Sequence, residues 1–194
     1  RKRNAFAFYG FVWPKPAALR GALYGLPLVA LATANLWHGA TLNFGPLETA
    51  AYVASMIGVG FLEETIFRGI LFKELLRGSQ RSAVVVSSVT FGLGHIVNLL
   101  SGAATLDTAA QVVYAIAVGF MLSVFVLRVG SIIPCIAFHS AFNSLSAFGV
   151  EPAGTAGSLI VAGAITALAL GYAAFLWRLP AAERGAEEPR RAAD

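Results

Sequence analysis

Six apolar segments joined by short polar turns make up most of the chain, and they constrain its fold more than any other feature. They cover about residues 22–37, 47–76, 83–100, 109–127, 131–148 and 155–177. Most approach the roughly 20 residues that a helix needs to cross a bilayer. The first segment is short and contains Pro27, so we expect it to tilt or bend. The pattern predicts an all-α, polytopic membrane helix bundle with about six transmembrane helices.

Composition supports this prediction. Hydrophobic residues make up 57% of the chain and charged residues only 12%, against about 25% charged residues in a soluble domain. The mean hydropathy is +0.72. A net charge of +4 does not indicate a nucleic-acid partner, because the basic residues are distributed by membrane side. The predicted environment is the lipid bilayer.

The distribution of Lys and Arg predicts the orientation of the chain. Of these 14 residues, all except Arg68 lie before the first apolar segment, on every second connection after it or, for Lys73, in the last turn before such a connection. Basic residues favour the cytoplasmic side of short loops. We therefore expect a multi-pass membrane protein with both termini in the cytoplasm. The Ala-rich composition and the Arg-rich tail indicate a bacterial plasma membrane.

The domain organisation predicted from these patterns is simple. Residues 1–20 form a basic segment suited to the membrane interface, residues 21–178 form the membrane domain, and residues 179–194 form a polar tail that we expect to be disordered. No removable signal peptide is predicted, and the first residue is not Met, which indicates a processed or truncated sequence. The single cysteine, Cys135, excludes an internal disulfide and a multi-cysteine zinc site, and we interpret it as a small buried hydrophobe.

Three charged residues interrupt the second apolar segment at a depth where charge is costly and usually functional. They are Glu63, Glu64 and Arg68. Glu64 and Arg68 are one helical turn apart on one face and can form an ion pair, whereas Glu63 points to a different side. One carboxylate is then neutralised and the other is free to act.

Other polar residues lie at a similar depth in the third and fifth segments. Glu63, His95 and Asn143 are 14 or 15 residues from Arg77, Arg81 and Arg128 at the cytoplasmic ends of their segments, which corresponds to roughly 20 Å in a helix. His139 is one turn shallower than Asn143 and shares its helix face. If the three helices touch, these groups form one site.

The residue types suggest hydrolysis of an amide bond. A carboxylate and a neighbouring imidazole can activate a water molecule, as Glu63 and His95 would. Histidine and asparagine can donate hydrogen bonds to an oxyanion, as His139 and Asn143 would. Alternatively, Glu63, His95 and His139 could bind one Zn²⁺ that activates the water. The spacing does not decide between a metal-free and a zinc-bound water.

Three motifs on three apolar segments carry a family resemblance. Glu63-Glu64-x-x-x-Arg68, Phe91-x-x-x-His95 and His139-x-x-x-Asn143 resemble the motifs of the CAAX-protease and bacteriocin-processing (CPBP, Abi) intramembrane endopeptidases. The Ras-converting CAAX endopeptidase belongs to this group. The resemblance covers residues 58–145, the motif core of the membrane domain.

The resemblance implies an endopeptidase whose catalytic cavity opens to the cytoplasm. Glu63 and His95 match the residues taken to activate water, and His139 and Asn143 match those taken to stabilise the oxyanion. Glu64 and Arg68 match a pair for which we expect a structural role. The family has been described both as metalloproteases and as metal-independent glutamate proteases. The substrate would be a peptide or a membrane protein, and the sequence leaves its lipidation open.

The same residues match other classes of intramembrane protease less well. The segment around His95 lacks H-E-x-x-H, so a site-two zinc protease is not indicated. Ser131 after Gly130 is a faint candidate for a rhomboid-like nucleophile. Ser140 faces away from its neighbour His139 on a helix.

The competing function is a non-enzymatic membrane protein, either a proton-linked transporter or a scaffold. A proton relay, however, has no need of Asn143 beside His139.

Overall fold

The structure is a computed structural model that describes residues 5–14 and 22–179. Residues 1–4 and 15–21 of the predicted interfacial segment lie outside the described residues. The same holds for residues 180–194 of the tail predicted to be disordered.

Helices dominate the described part of the chain. They are α1 (Ala5–Phe8), α2 (Ala22–Ala32), α3 (Pro46–Glu64), α4 (Phe72–Leu75), α5 (Gln80–Gly94), α6 (Thr105–Val129), α7 (Ile133–Leu145) and α8 (Gly154–Arg178). A π-helical segment, Thr65–Leu71, joins α3 to α4, and 3₁₀ segments cover Ala34–Leu36, His95–Ser101 and Ser146–Phe148. Within residues 5–14 and 22–179, β-type pairing is limited to one isolated bridge between Ala40 and Gly149. The predicted all-α class is confirmed.

Four helical stretches are long and apolar enough to cross a membrane. They are Pro46–Leu75, Gln80–Ser101, Thr105–Val129 and Gly154–Arg178. They coincide with four of the six predicted spans, which confirms a polytopic bundle. At the other two predicted positions, α2 has 11 residues and α7 has 13. At about 1.5 Å per residue, each is shorter than the hydrocarbon core of about 30 Å.

Helix α6 lies at the centre of the bundle. It packs along α5 and α8, while α3 packs along α7. Most of α6 between Ala115 and Val126 is buried. By contrast, α3 presents large apolar side chains on its outside, among them Ile57, Phe61 and Leu62. Apolar residues that face outward along a spanning helix suit a lipid environment, whose tails are as apolar as the side chains themselves.

Local sequence explains where the principal helices begin and end. Pro46 occupies the first turn of α3, where its missing N–H costs nothing. The carboxylate of Glu48 accepts a hydrogen bond from the backbone N–H of Gly45 at 3.1 Å. Helix α6 ends at Gly130, whose φ of 74° lies in the left-handed region that glycine adopts without a steric penalty. The chain then turns directly into α7.

A glycine allows α3 and α7 to approach closely. A Cβ added at Gly60 would meet the backbone nitrogen of Ser140 at 2.7 Å and its Oγ at 2.5 Å. The Ser140 hydroxyl donates to the carbonyl of Ile57 on the same helix as Gly60. Small residues at helix contacts are what close packing in a membrane requires. Gly60 therefore sets the distance between the helices that carry Glu63 and His139.

We expect Gly60→Ala to lower stability in unfolding measurements in detergent. The added methyl meets backbone that cannot move aside, and overpacking of this kind costs about 1–3 kcal/mol. Gly58→Ala is the matched control, because a Cβ at Gly58 meets nothing within 4 Å. Equal stability of the two variants would contradict the close approach of α3 and α7.

Candidate functional site

A buried set of polar side chains joins α3 and the π-helical segment to α7. Arg68 Nη1 lies 2.7 Å from Glu64 Oε1, and both side chains are fully buried. The same carboxylate oxygen lies 3.0 Å from Nδ1 of His139. The predicted pairing of Glu64 with Arg68 is confirmed. The contact between Glu64 and His139 was not predicted.

Glu63 approaches the other nitrogen of the same imidazole. Its Oε2 lies 3.6 Å from Nε2 of His139, and 33% of the Glu63 side chain is exposed, against 8% of His139. A distance of 3.6 Å is too long for a hydrogen bond. Glu63 Oε2 accordingly has no hydrogen-bond partner among the described residues. Glu63 is thus partly exposed and without a hydrogen bond at Oε2, whereas its neighbour Glu64 is fully buried and paired with Arg68.

The aromatic ring of Phe91 lies between the three motifs. The guanidinium carbon of Arg68 is 4.1 Å from the centre of the ring, a distance suited to a cation–π interaction. The rings of His95 and His139 contact Phe91 edge to face, with centroid distances of 5.3 and 5.6 Å. Phe91 is therefore the common neighbour of residues from all three motifs.

His95 stands at a change in helix type. It begins the 3₁₀ segment that follows α5, and its Nδ1 lies 3.2 Å from the carbonyl oxygen of Phe91. A carbonyl can only accept, so Nδ1 is the donor and Nε2 is left free of that bond. No hydrogen bond or ion pair joins His95 to Glu63, although both residues are described. The imidazole in contact with Glu63 is that of His139.

Asn143 lies one turn beyond His139 on α7. Its backbone carbonyl accepts a hydrogen bond from the hydroxyl of Ser146 at 2.6 Å. The side-chain amide forms no hydrogen bond within the described part of the chain, and the residue is half-buried. Nearby, the amide of Asn35 donates to the carbonyl of Phe142 at 2.6 Å and holds this part of α7 against the end of α2. The amide donors of Asn143 are therefore available to a bound molecule.

Backbone irregularity accompanies the motif residues. The π-helical segment starts at Thr65, directly after the two glutamates, and contains Arg68. The hydroxyl of Ser87 on α5 donates at 2.9 Å to the carbonyl of Phe67 inside this segment. Short π-helical segments occur frequently at functional sites. The hydrogen bond from Ser87 ties α5, which carries Phe91, to the segment that carries Arg68.

The predicted zinc ligands do not form a metal-binding group in this structure. No three His, Cys, Asp or Glu side chains within residues 5–14 and 22–179 are placed so that they could hold a metal ion. Glu63 and His139 are neighbours, but His95 does not join them. The side chains as arranged do not fit the three-ligand zinc centre, and we derive no catalytic step through a metal.

The alternative nucleophiles have structural partners. The Ser131 hydroxyl donates to the carbonyl of Val12 at 2.5 Å, and Ser140 contacts α3 near Gly60. Cys135 is fully buried, as predicted. None of these three residues forms a hydrogen bond with Glu63 or with His139.

The sequence of the chain matches a known protein family. A family model described as type II CAAX prenyl endopeptidase Rce1-like matches residues 44–145, just over half of the 194 residues. The chain belongs to this Rce1-like family. The matched range contains all three motifs and confirms the resemblance stated from the sequence. No curated protein and no solved structure matches the chain.

Membership of the Rce1-like family establishes the general activity. The chain is a CAAX-protease-like intramembrane endopeptidase, and its substrate is a protein or peptide within the membrane. The four long apolar helices agree with an integral membrane protein. The family match favours the enzyme over the transporter or scaffold considered from the sequence.

Proposed function

We propose that the chain hydrolyses a peptide bond with a water molecule activated by Glu63, while His139 and Asn143 bind the oxyanion. The observation that carries this proposal is the pair formed by Glu63 and His139. One carboxylate oxygen of Glu63 lies 3.6 Å from Nε2 of His139, and a third of the Glu63 side chain is exposed. Glu63 is thus the more exposed of the two neighbouring glutamates, while Glu64 is fully buried.

Glu63 is suited to be the proton acceptor because Arg68 is not paired with it. Arg68 is committed to Glu64 at 2.7 Å. In the proposed reaction the water oxygen bonds to the carbonyl carbon and its proton passes to Glu63. The tetrahedral intermediate then expels the amine, the C–N bond breaks, and the leaving nitrogen takes the proton from Glu63. A positioned carboxylate of this kind contributes about 10²- to 10⁴-fold to the rate.

His139 and Asn143 can bind the negative oxygen that forms during this reaction. Asn143 has a free amide one turn from His139 on the same face of α7. Oxyanion binding by His139 requires a proton on Nε2, which would donate to the oxyanion while Nδ1 donates to Glu64. Donors placed in advance around such an oxygen are worth about 10²- to 10³-fold each in kcat.

His95 is proposed to assist Glu63 in activating the water molecule. Its Nδ1 is bonded to the carbonyl of Phe91 at 3.2 Å, which leaves Nε2 as the nitrogen that can orient a water molecule. Catalytic hydrogen bonds are often completed only when substrate is bound. The family resemblance supports the same role.

The substrate is proposed to be a peptide precursor or a membrane-protein segment that reaches the site from the cytoplasmic side of a bacterial plasma membrane. The basic residues at alternate turns support this orientation. Both lipidated and unlipidated substrates are compatible with a site surrounded by apolar helices.

Cleavage of synthetic peptides by the purified protein tests the proposed function. Peptides with and without a prenyl group on a cysteine near the carboxyl end are incubated with the protein in detergent, and the products are identified by mass spectrometry. A parallel set contains a metal chelator. Cleavage that survives the chelator supports the metal-free mechanism, and its loss and recovery on adding Zn²⁺ would contradict it. No cleavage of any peptide or membrane-protein substrate would contradict the proposed function.

We expect Asn143→Leu to lower kcat for the cleaved peptide by about 10²- to 10³-fold, because one oxyanion donor is lost. KM should change little, since the donor acts on charge that develops after binding. The thermal unfolding temperature should also change little, because the amide has no hydrogen-bond partner in the described part of the chain. A variant with a kcat within threefold of the wild type would exclude Asn143 from the oxyanion site.

A further inference from the structure

The two nitrogens of His139 face two different carboxylates. Nδ1 lies 3.0 Å from Glu64 Oε1, within hydrogen-bond distance, and Nε2 lies 3.6 Å from Glu63 Oε2. A carboxylate oxygen accepts, so the short contact requires a proton on Nδ1. The hydrogen bond to one ring nitrogen decides what the other nitrogen can do. The role of His139 therefore depends on Glu64.

Glu64 is held in place on its own helix. Its Oε1 also accepts from Arg68 Nη1 at 2.7 Å, and neither side chain is exposed. The guanidinium of Arg68 is in turn covered by the ring of Phe91. Charge-assisted hydrogen bonds are short and directional. Arg68 thus fixes the position of the oxygen that meets the imidazole.

A contribution to fold stability alone does not explain the buried ion pair of Glu64 and Arg68. Taking both charges out of water costs about as much as their attraction returns, and apolar replacements are often neutral or stabilising. Glu64 also forms a hydrogen bond with His139, which lies in the proposed site. This contact gives the ion pair a role in that site.

We propose that Glu64, fixed by Arg68, is a positioning residue for His139. It keeps a proton on Nδ1 and holds the ring so that Nε2 faces Glu63 and the substrate. The catalytic consequence rests on the proposed function, whereas the state of the imidazole does not. A buried carboxylate plays the same part for the histidine of serine proteases, where loss of the correct tautomer costs about 10⁴-fold in kcat.

The test uses two double variants that differ only in the hydrogen-bond acceptor at position 64. Both carry Arg68→Leu, so neither leaves a buried cation without its partner. Glu64→Gln/Arg68→Leu keeps an oxygen that can accept from Nδ1. Glu64→Leu/Arg68→Leu has no acceptor, and its two apolar side chains are expected to keep the protein folded.

The first measurement is nitrogen NMR of ¹⁵N-histidine in the purified protein. The chain has only three histidines, and replacing His38 and His95 one at a time assigns the signals of His139. We expect Nδ1 to be protonated in the wild type and in the Gln variant, and to lose its proton in part in the Leu variant. An unprotonated Nδ1 in the wild type, or the same ring state in both variants, would overturn the inference.

The second measurement is the cleavage rate. The Leu variant is expected to lose about 10²-fold in kcat through misplacement of the ring, with KM nearly unchanged. The kcat of the Gln variant should be about tenfold higher than that of the Leu variant. Equal kcat values for the two variants would overturn a positioning role. A wild-type protein that cleaves no substrate would contradict the proposed function alone, because the NMR result still decides whether Glu64 sets the state of His139.

Discussion

Replacing Glu63 by glutamine is expected to lower kcat for peptide cleavage by about 10²- to 10⁴-fold. The amide of glutamine has nearly the shape of the carboxylate but cannot take the proton of the attacking water. The fold should be retained, because Glu63 Oε2 has no hydrogen-bond partner among the described residues. Initial rates at saturating peptide, together with the thermal unfolding temperature, measure both effects.

Glu74→Gln is the matched control for this change. Glu74 lies on α4 beyond the π-helical segment and forms a surface ion pair with Arg77 at 3.0 Å. Surface pairs of this kind contribute about 0–1 kcal/mol, so neither turnover nor unfolding should change much. If Glu63→Gln kept more than a tenth of the wild-type kcat, Glu63 could not be the proton acceptor.

Replacing Arg68 by leucine is expected to lower stability by about 3–5 kcal/mol, because the fully buried carboxylate of Glu64 loses its cation. The double variant Glu64→Leu/Arg68→Leu should recover most of this loss, since it leaves no unpaired charge in the bundle. Reversible unfolding in mixed detergent micelles gives the three free energies of unfolding on one scale.

Arg77→Leu provides the control for Arg68→Leu. It removes the same type of side chain from an ion pair that is largely exposed, and its effect should stay below about 1 kcal/mol. A double variant that is as unstable as Arg68→Leu alone would show that the cost does not arise from the unpaired Glu64. Burial of the pair would then have to be reconsidered.

Local periodicity predicted the parts of the site that lie within one turn of helix. Glu64 and Arg68 are four residues apart, and this spacing is enough to place them on one face and in contact. His139 and Asn143 have the same spacing on α7. The family motifs and the membrane class also follow from residues that are close in sequence, and the family model confirms both.

Contacts between helices could not be predicted in the same way. Hydrophobic periodicity indicates which face of a helix is buried but not which other helix covers it. The sequence prediction therefore paired Glu63 with His95, while the structure places Glu63 beside His139. The close packing of Gly60 on Ser140 brings α3 and α7 together and so places Glu63 beside His139.

Backbone irregularities also could not be predicted from the sequence. The π-helical segment Thr65–Leu71 contains one threonine, two isoleucines and one glycine, a composition that also occurs in α-helices, so the sequence did not predict it. Segment 131–148 was predicted as a full span because it is predominantly apolar. In the structure it consists of the 13-residue α7 and a 3₁₀ turn.

The position of Phe91 has a magnetic consequence. Its benzene ring meets the rings of His95 and His139 at nearly right angles, at centroid distances of 5.3 and 5.6 Å. Circulating π electrons in a ring so near shift the proton resonances of both imidazoles through the ring-current effect. Relative movement of the second and third motifs changes the shifts of His139, so the protein contains a natural probe of its own site geometry.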